Sequence, residues 1–362
     1  MNLALSYNIK HATPSRSLNS QNEAEFDSPE TIAAIQKALE SEGYTVYPVE
    51  AEEEAYSKFL SLKSKISIVF NIAEGLRGQA REAQIPAMLE MLNIPYTHSG
   101  VLAQAITLDK ALTKKILTFH KINTPKFILI SQINQIDNLH DSRLEYPLIV
   151  KPNSEGSSKG IFNENLVFDK VKLAERIRWL LKNFPEPVLV EEYLGGREFT
   201  VSVFGNNPPQ VLPIVEQNYA VFPENMSHFT SYEAKWLFED SLPDTHDAYF
   251  CPPQITSKLQ AEIENICLST WEALNLKDVA RFDLRIDRNG AVSILEVNTL
   301  PGLIPDPIVV SYLPIAARAA GFTFDSLVNG ILNEALNRYG LNTKQSTYPH
   351  FKQKPLQLTK SK

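Results

Sequence analysis

Two adjoining stretches hold the side chains best suited to chemistry. In Arg281-Phe282-Asp283-Leu284-Arg285-Ile286-Asp287, strand alternation puts Arg281, Asp283, Arg285 and Asp287 on one face and Phe282, Leu284 and Ile286 on the other. The turn Asp287 to Gly290 sends the chain into Ile294-Leu295-Glu296-Val297-Asn298, where Glu296 and Asn298 share a face. A hairpin of this length brings Asp283 opposite them. Two carboxylates and an amide oxygen make a hard-oxygen cluster suited to magnesium, whose remaining positions go to water and phosphate. The plainer alternative is a solvated polar sheet face. A Glu and an Asn inside an otherwise apolar strand, running into Thr299-Leu300-Pro301-Gly302, count against it, because buried polar groups need partners.

A second constellation is Tyr146-Pro147-Leu148-Ile149-Val150-Lys151-Pro152, followed by Asn153-Ser154-Glu155-Gly156-Ser157-Ser158-Lys159-Gly160. A lysine ending an apolar strand is placed to neutralise phosphate. The Gly/Ser loop offers amides and hydroxyls and can close as a lid. It is not a Walker loop, because no GxxxxGK[ST] occurs; taken alone it also reads as a flexible surface loop. A third stretch, Val188-Leu189-Val190-Glu191-Glu192-Tyr193-Leu194-Gly195-Gly196-Arg197-Glu198, could offer backbone hydrogen bonds to adenine and a carboxylate to ribose. Alone, it is an acidic strand end before a Gly-Gly turn.

The elements around these residues alternate from the start. Strands are expected at Leu3 to Tyr7, Tyr44 to Val49 and Ile66 to Ile72, with a helix capped by Ser28 or Asp27, opened by Pro29 and stopped by Gly43. Arg81 to Leu92 reads as an amphipathic helix with Ile85, Met88, Leu89 and Leu92 on one face. A second unit begins near Asp109 with a helix carrying Leu112, Ile116 and Leu117. Strands Lys126 to Ile130 and Leu148 to Lys151 follow, then one near Gly160, a helix Asp169 to Phe184 and a strand Val188 to Glu192. The third unit is strand-rich (Phe199 to Phe204, Val211 to Glu216, Ala280 to Ile286, Val292 to Val297), with helices Ser257 to Leu274 and Asp325 to Tyr339.

Composition bounds the answer. The 362 residues are 43% hydrophobic, enough for a large core, and the net charge of -7 argues against nucleic acid or an anionic membrane as the main partner. Cys251 and Cys267 lack metal-type spacing, and neither a disulfide framework nor a zinc site is suggested. Met1 to Ser17 lacks the apolar core of a signal peptide, and no apolar run approaches the roughly 18 residues of a membrane span. A cytoplasmic location is expected. Leu341 to Lys362, with Lys344, Lys352, Lys354, Lys360 and Lys362 and no acid, reads as a flexible basic tail.

Together these stretches resemble the D-alanine-D-alanine ligase family of the ATP-grasp superfamily. The resemblance is carried by Asn93-Ile94-Pro95-Tyr96-Thr97 with Asp109-Lys110-Ala111-Leu112-Thr113-Lys114, by Leu148 to Gly160, by Glu191 to Thr200, by Ser231-Tyr232-Glu233-Ala234-Lys235, and by Arg281 to Gly302. It implies an α/β chain, α+β in its C-terminal half, with an ATP-grasp fold behind an N-terminal open α/β domain. The expected divisions are an N-terminal substrate domain (1–108), a central subdomain with a phosphate lid (109–187), a C-terminal subdomain with the metal site (188–340) and the tail (341–362).

The resemblance also implies roles. Lys110 and Lys151 would contact ATP phosphates, with Ser158 beside them in the loop; Glu191, Tyr193 and Leu194 would hold adenine, with Phe229 and Leu295 packed on it; Glu198 would bind ribose. Lys235 would reach the γ-phosphate. Asp283, Glu296 and Asn298 would hold two magnesium ions, with manganese as a substitute. Arg281 and the amide of Gly302 would stabilise the oxyanion of a tetrahedral intermediate. Ser157 resembles the loop serine near the first substrate, and Ser311 the serine that binds the second substrate's carboxylate. A homodimer is implied as well.

The chain departs from the family where substrate is read. The usual Ser-Ala-Glu-Arg-Glu-type start is replaced by Tyr7 to Glu30, leaving Glu25 as the nearest counterpart of the glutamate that holds the first amino group. The usual histidine is Glu74, the tyrosine after Glu-Ala-Lys is Trp236, and extra residues separate Gly302 from Ser311. Three functions follow: a D-alanine-D-alanine ligase serving cell-wall precursor synthesis, a ligase for another amino-acid or peptide pair, or a nucleotide-binding module without catalysis. Intact Asp283, Glu296, Asn298, Arg281 and Lys235 speak against the last.

Overall fold

The structure, a computed structural model, describes residues 1–341 apart from 12–14, 16, 18–20, 22, 137–143, 240, 241 and 243. Of the basic tail expected over 341–362, all but Leu341 lies outside the described residues.

The N-terminal unit alternates strand and helix: β1 (Asn2–Tyr7), α1 (Pro29–Ser41), β2 (Thr45–Glu50), α2 (Ala55–Leu62), β3 (Ile68–Asn71), a 3-10 turn Arg81–Ala83 and α3 (Gln84–Met91). Helical crossovers force parallel pairing, and β1 lies between β2 and β3, parallel to both. Ser28 is the N-cap of α1, its hydroxyl accepting from Thr31 N–H at 3.2 Å, with Pro29 opening the helix where no N–H is needed.

Two helices, α4 (Val101–Leu108) and α5 (Lys110–Phe119), lead into the central unit: β4 (Phe127–Ile130), β5 (Leu148–Pro152), the two-residue β6 (Leu166–Val167), α6 (Lys170–Asn183) and β7 (Val188–Glu192). Its sheet runs β4-β7-β5-β6, antiparallel throughout, with Leu173, Ile177 and Leu180 of α6 buried against it. The strand expected near Gly160 is absent. Gly160 has φ +72°, and a Cβ there would come within 2.8 Å of both Phe184 and Pro152, so the chain turns and pairing resumes at β6. Leu112, one of the apolar residues that mark α5, is 40% exposed, whereas Lys110 and Lys114 are buried, because acids lie within the fold to receive them.

The C-terminal unit holds β8 (Glu198–Phe204), β9 (Gln210–Val211), β10 (Val215–Gln217), β11 (Tyr249–Phe250), α7 (Ser257–Ala273), β12 (Val279–Ile286), β13 (Val292–Asn298), α8 (Tyr312–Ala319) and α9 (Phe324–Arg338). The sheet order is β11-β10-β8-β12-β13, with β9 added to β8. The single strand expected over Val211 to Glu216 is split around Pro213, which has no N–H to give a ladder. Leu3, Leu5, Ile35 and Leu39 of the first unit share one apolar core with Val328, Ile331 and Leu332 of α9. Buried Asp278 pins the junction. It receives His98 N–H at 2.8 Å, the Arg338 guanidinium at 2.8 Å and Asn206 Nδ2 at 2.8 Å. No helix among the described residues is long and apolar enough to cross a membrane.

Candidate active site

A cleft of about 890 Å³ lies between the central and C-terminal sheets. One wall is Lys151 at the end of β5 and Glu191, Tyr193 and Leu194 at the end of β7; the other is Glu198, Thr200, Arg281, Asp283, Leu295 and Glu296. Lys151 and Lys114 reach the buried Glu191 carboxylate at 2.6 and 2.9 Å. Burial alone would raise the Glu191 pKa, but the two ammonium groups bring it below its usual value. For Lys114 burial prevails, and its pKa falls to about 8. Glu191 therefore serves first as the internal counter-ion of two lysines, beyond the adenine contact expected of it. Leu194, Phe229 and Leu295 line the cleft, Phe229 lying edge-on to Tyr193 at 6.4 Å. Glu198, the expected ribose ligand, is held by Tyr219 (2.7 Å), Thr230 (3.0 Å) and Arg285 (3.4 Å).

Across β12 and β13, Asp283 pairs with Glu296 and Arg281 with Asn298, as the hairpin spacing implies. Asp287 is not on this face. It closes the turn, accepting the amides of Asn289 and Ala291, and a register shift after Asp283 breaks the alternation. The carboxylates of Asp283 and Glu296 and the amide oxygen of Asn298 are hard donors of the type magnesium takes, and strand pairing puts their positions side by side. Asp283 at present accepts from Arg281 (2.9 Å), Thr200 (2.9 Å) and Asn298 (3.1 Å), so the guanidinium sits where a cation is wanted. Burial disfavours the Glu296 carboxylate, yet Lys110, Lys151 and Arg281 outweigh it and bring the pKa to about 2. Lys110 stands 3.4 Å from Glu296 and donates to the Glu155 carbonyl at 2.6 Å. Asp109 fixes that lysine, because its carboxylate caps α5 at Leu112 N–H (2.9 Å) and accepts from Asn153 Nδ2 (2.8 Å).

A second compartment of about 1130 Å³ continues from the first. Six residues line both: Gly156, Ser157, Lys235, Arg281, Glu296 and Tyr312. Sequence reasoning had named all of them but Tyr312, which has no motif of its own. Lys235 sits in a π-helical turn, Ala234–Phe238, and burial together with Arg281 lowers its pKa to about 8. Gly302 and Ser311 lie in the second compartment. The Ser311 hydroxyl donates to the Gly302 carbonyl at 3.1 Å, which closes the longer loop between them. The indole N–H of Trp236 donates to the Ser157 carbonyl at 3.0 Å. Ser157 and Ser158 take left-handed conformations, and the Ser158 hydroxyl donates to the Thr230 carbonyl at 2.9 Å.

The far end of the second compartment is acidic: Glu25, Asp27, Glu74 and Glu82 line it. Glu25, Glu74 and Glu82 each offer a carboxylate oxygen within 4.8 Å of the others. Glu25 is committed elsewhere. Arg81 holds both its oxygens at 2.7 Å and Lys159 one at 2.6 Å, while Glu155 pairs with the same two cations. Its pKa falls to about 2, since these cations overcome burial. Neither nearby arginine pairs with Glu74, because Arg77 pairs with Glu53 and Arg81 with Glu25 and Glu155. Burial, then Glu82 and Glu25, pushes Glu74 well above the usual carboxylate range. Burial also raises Glu82 and Asp27 to about 7 each. Sequence reasoning missed Glu82 and Asp27 here; Glu82, one residue past Arg81 in the 3-10 turn, left no periodic signal.

The family model described as the D-ala D-ala ligase C-terminus matches residues 116–333. A D-alanine–D-alanine ligase of Carboxydothermus hydrogenoformans is 34% identical over 305 residues, covering 83% of this chain and 90% of that one. An uncharacterized protein of Sinorhizobium fredii is 36% identical over 272 residues, 75% of each chain. Among solved structures, the D-alanine–D-alanine ligase of Bacillus anthracis superimposes with a TM-score of 0.69 at 25% identity, covering 94% of this chain and 99% of that one.

Proposed function

Since the chain belongs to the D-alanine–D-alanine ligase family and is an ATP-dependent ligase with the ATP-grasp fold, we propose that it joins a carboxylate to an amine through an acyl phosphate. We infer further that its first substrate is an amino acid or other amino-bearing acid, not limited to D-alanine. The observation that carries the ligase route is the meeting of the two compartments at Lys235, Arg281 and Glu296. A γ-phosphate in the first compartment and a carboxylate in the second would come together there.

In this reading Lys110, Lys151 and Lys235 screen the phosphates, so that the carboxylate oxygen attacks the γ-phosphorus and ADP departs with the electron pair. Tyr193, Leu194, Phe229 and Leu295 enclose adenine, and Glu198 serves ribose. Asp283, Glu296 and Asn298 would hold magnesium, which when bound supplies charge neutralisation for the phosphates. The amine then attacks the acyl carbon. Arg281 and the Gly302 amide face the oxyanion, and phosphate leaves. The loop held by Trp236 keeps water from the acyl phosphate. Ser311 fixes the second substrate's carboxylate.

The substrate reading rests on the acids. Because Glu25 is neutralised by Arg81 and Lys159, and burial with Glu82 and Glu25 favours the neutral form of Glu74, the acids that remain to receive an ammonium group are Glu82 and Asp27. Synthesis of D-alanyl-D-alanine is the second reading, favoured by the relatives' names; service to the cell wall, a cytoplasmic location and a homodimer are proposed with it. The experiment is phosphate release from magnesium-ATP across D- and L-amino acids and dipeptides, with product masses. Amino-acid-dependent release with a C–N-joined product supports the ligase. Turnover of D-alanine alone would remove the broader substrate claim.

A further inference from the structure

Tyr312 opens α8 immediately after Ser311, and its ring belongs to the core shared by the N-terminal and C-terminal units. The side chain is only 8% exposed, which fixes the ring. Its buried hydroxyl meets no partner at full hydrogen-bond geometry among the described residues, and the Gln217 side chain is near enough to act on it as a hydrogen-bonding neighbour. A buried hydroxyl without a well-aligned partner costs stability, and phenylalanine would pack the same space without that cost. The position of the side chain supplies the reason for keeping it: Tyr312 lines both compartments, at the junction where Lys235 and Arg281 also converge. The Arg281 guanidinium stands 5.8 Å from the ring centroid.

We propose that the Tyr312 hydroxyl donates a hydrogen bond to the carboxylate of the first substrate as it accepts the γ-phosphoryl group. Tyr312 thereby becomes a substrate-contacting residue of the ligase. The inference rests on the acyl-phosphate reading above. The bond formed joins the carboxylate oxygen to the γ-phosphorus, the bond broken joins that phosphorus to the bridging oxygen of ADP, and Tyr312 keeps its proton throughout. The phenol is suited to a donor role. Burial first, and then the negative charge of Glu239, raise its pKa well above the ordinary tyrosine value, so it stays protonated at any working pH. It adds a neutral donor beside Arg281 and Lys235, holding the attacking oxygen in line without a counter-charge that would blunt its nucleophilicity.

The test is Tyr312→Phe, assayed with D-alanine and with whichever amino acid releases phosphate fastest from the wild-type enzyme. A hydrogen bond to a charged oxygen predicts that kcat/KM for the amino acid falls by about ten- to a hundredfold. The Kd for AMP-PNP should stay within about twofold, because the hydroxyl does not read the nucleotide. Thermal stability should hold or rise, since a buried hydroxyl without a well-aligned partner has been removed; a merely structural tyrosine would not give higher stability with lower turnover. The inference is overturned if kcat/KM stays within about twofold of wild type, or if AMP-PNP binding weakens by the same factor as turnover. If the wild-type enzyme shows no amino-acid-dependent phosphate release, the ligase route fails and this role with it. If wild type is active and Tyr312→Phe matches it, only this role fails.

Discussion

Asp283 and Glu296 face each other across β12 and β13, and Arg281 binds the aspartate while Lys110 approaches the glutamate. Two carboxylates this close are tolerated because cations flank them. Glu296→Gln removes one charge with almost no change in shape. Magnesium-dependent ATP turnover should fall on the order of a hundredfold or more while circular dichroism stays unchanged. Near-normal turnover would mean that Glu296 is not a metal ligand.

The pH profile should be bell-shaped. Lys235, lowered to about 8 by burial and Arg281, loses its charge as pH rises through that value, so kcat/KM for ATP should fall above about pH 8. Bound phosphates favour the ammonium form, and the limb in kcat should therefore lie higher. On the other side, Glu82 and Asp27, raised to about 7, become neutral as pH falls and cease to attract an ammonium group. Affinity for the first substrate should then weaken below about pH 7. Affinity that is flat from pH 6 to 8 would separate these acids from substrate binding.

The loop between Glu155 and Lys159 is tied to the N-terminal unit through Glu25 and Arg81. Gly156 has no room for a side chain there: a Cβ would stand 2.1 Å from Glu25 Oε1, an atom held by the Arg81 guanidinium. Gly156→Ala should cost about 1–3 kcal/mol of stability and loosen the loop. Hydrogen exchange of the Gly156 to Gly160 amides should rise in that variant, and in wild type should slow with AMP-PNP and magnesium. No change with nucleotide would argue against a lid.

The metal-type face was legible because a strand repeats every two residues and the turn at Asp287 to Gly290 is short. Positions 281, 283, 296 and 298 then follow from spacing. Lys151, at the end of an apolar strand, was legible as a residue of the cleft wall. What escaped depends on partners far apart in the chain. Lys159 meets Glu25 across 134 positions, so the neutralisation of Glu25 left no local trace. Periodicity marks this helix by apolar residues such as Leu112 and treats lysines as solvent-seeking, whereas Leu112 is exposed and Lys110 and Lys114 are buried against acids supplied by other strands. Tyr312, beside Ser311, has no motif of its own.

Glu74 stands at the acidic end of the substrate compartment without an arginine of its own. Glu74→His, which restores the residue usual in the family, should raise D-alanine use at the expense of the wild-type enzyme's preferred amino acid; adding Trp236→Tyr should strengthen the effect. Comparative kcat/KM values across the amino-acid panel decide it. An unmodified enzyme that already makes D-alanyl-D-alanine efficiently and rejects other amino acids would contradict the wider pocket.

The central claim is that the carboxylate is activated by phosphoryl transfer where the two compartments meet. It is tested most directly by giving the enzyme an amino acid carrying oxygen-18 in its carboxylate and weighing the phosphate released. One labelled oxygen should pass into inorganic phosphate, because the attacking carboxylate oxygen leaves with phosphorus when the amine displaces it. Label appearing in AMP, or remaining wholly in the product and unreacted substrate, would contradict the acyl-phosphate route.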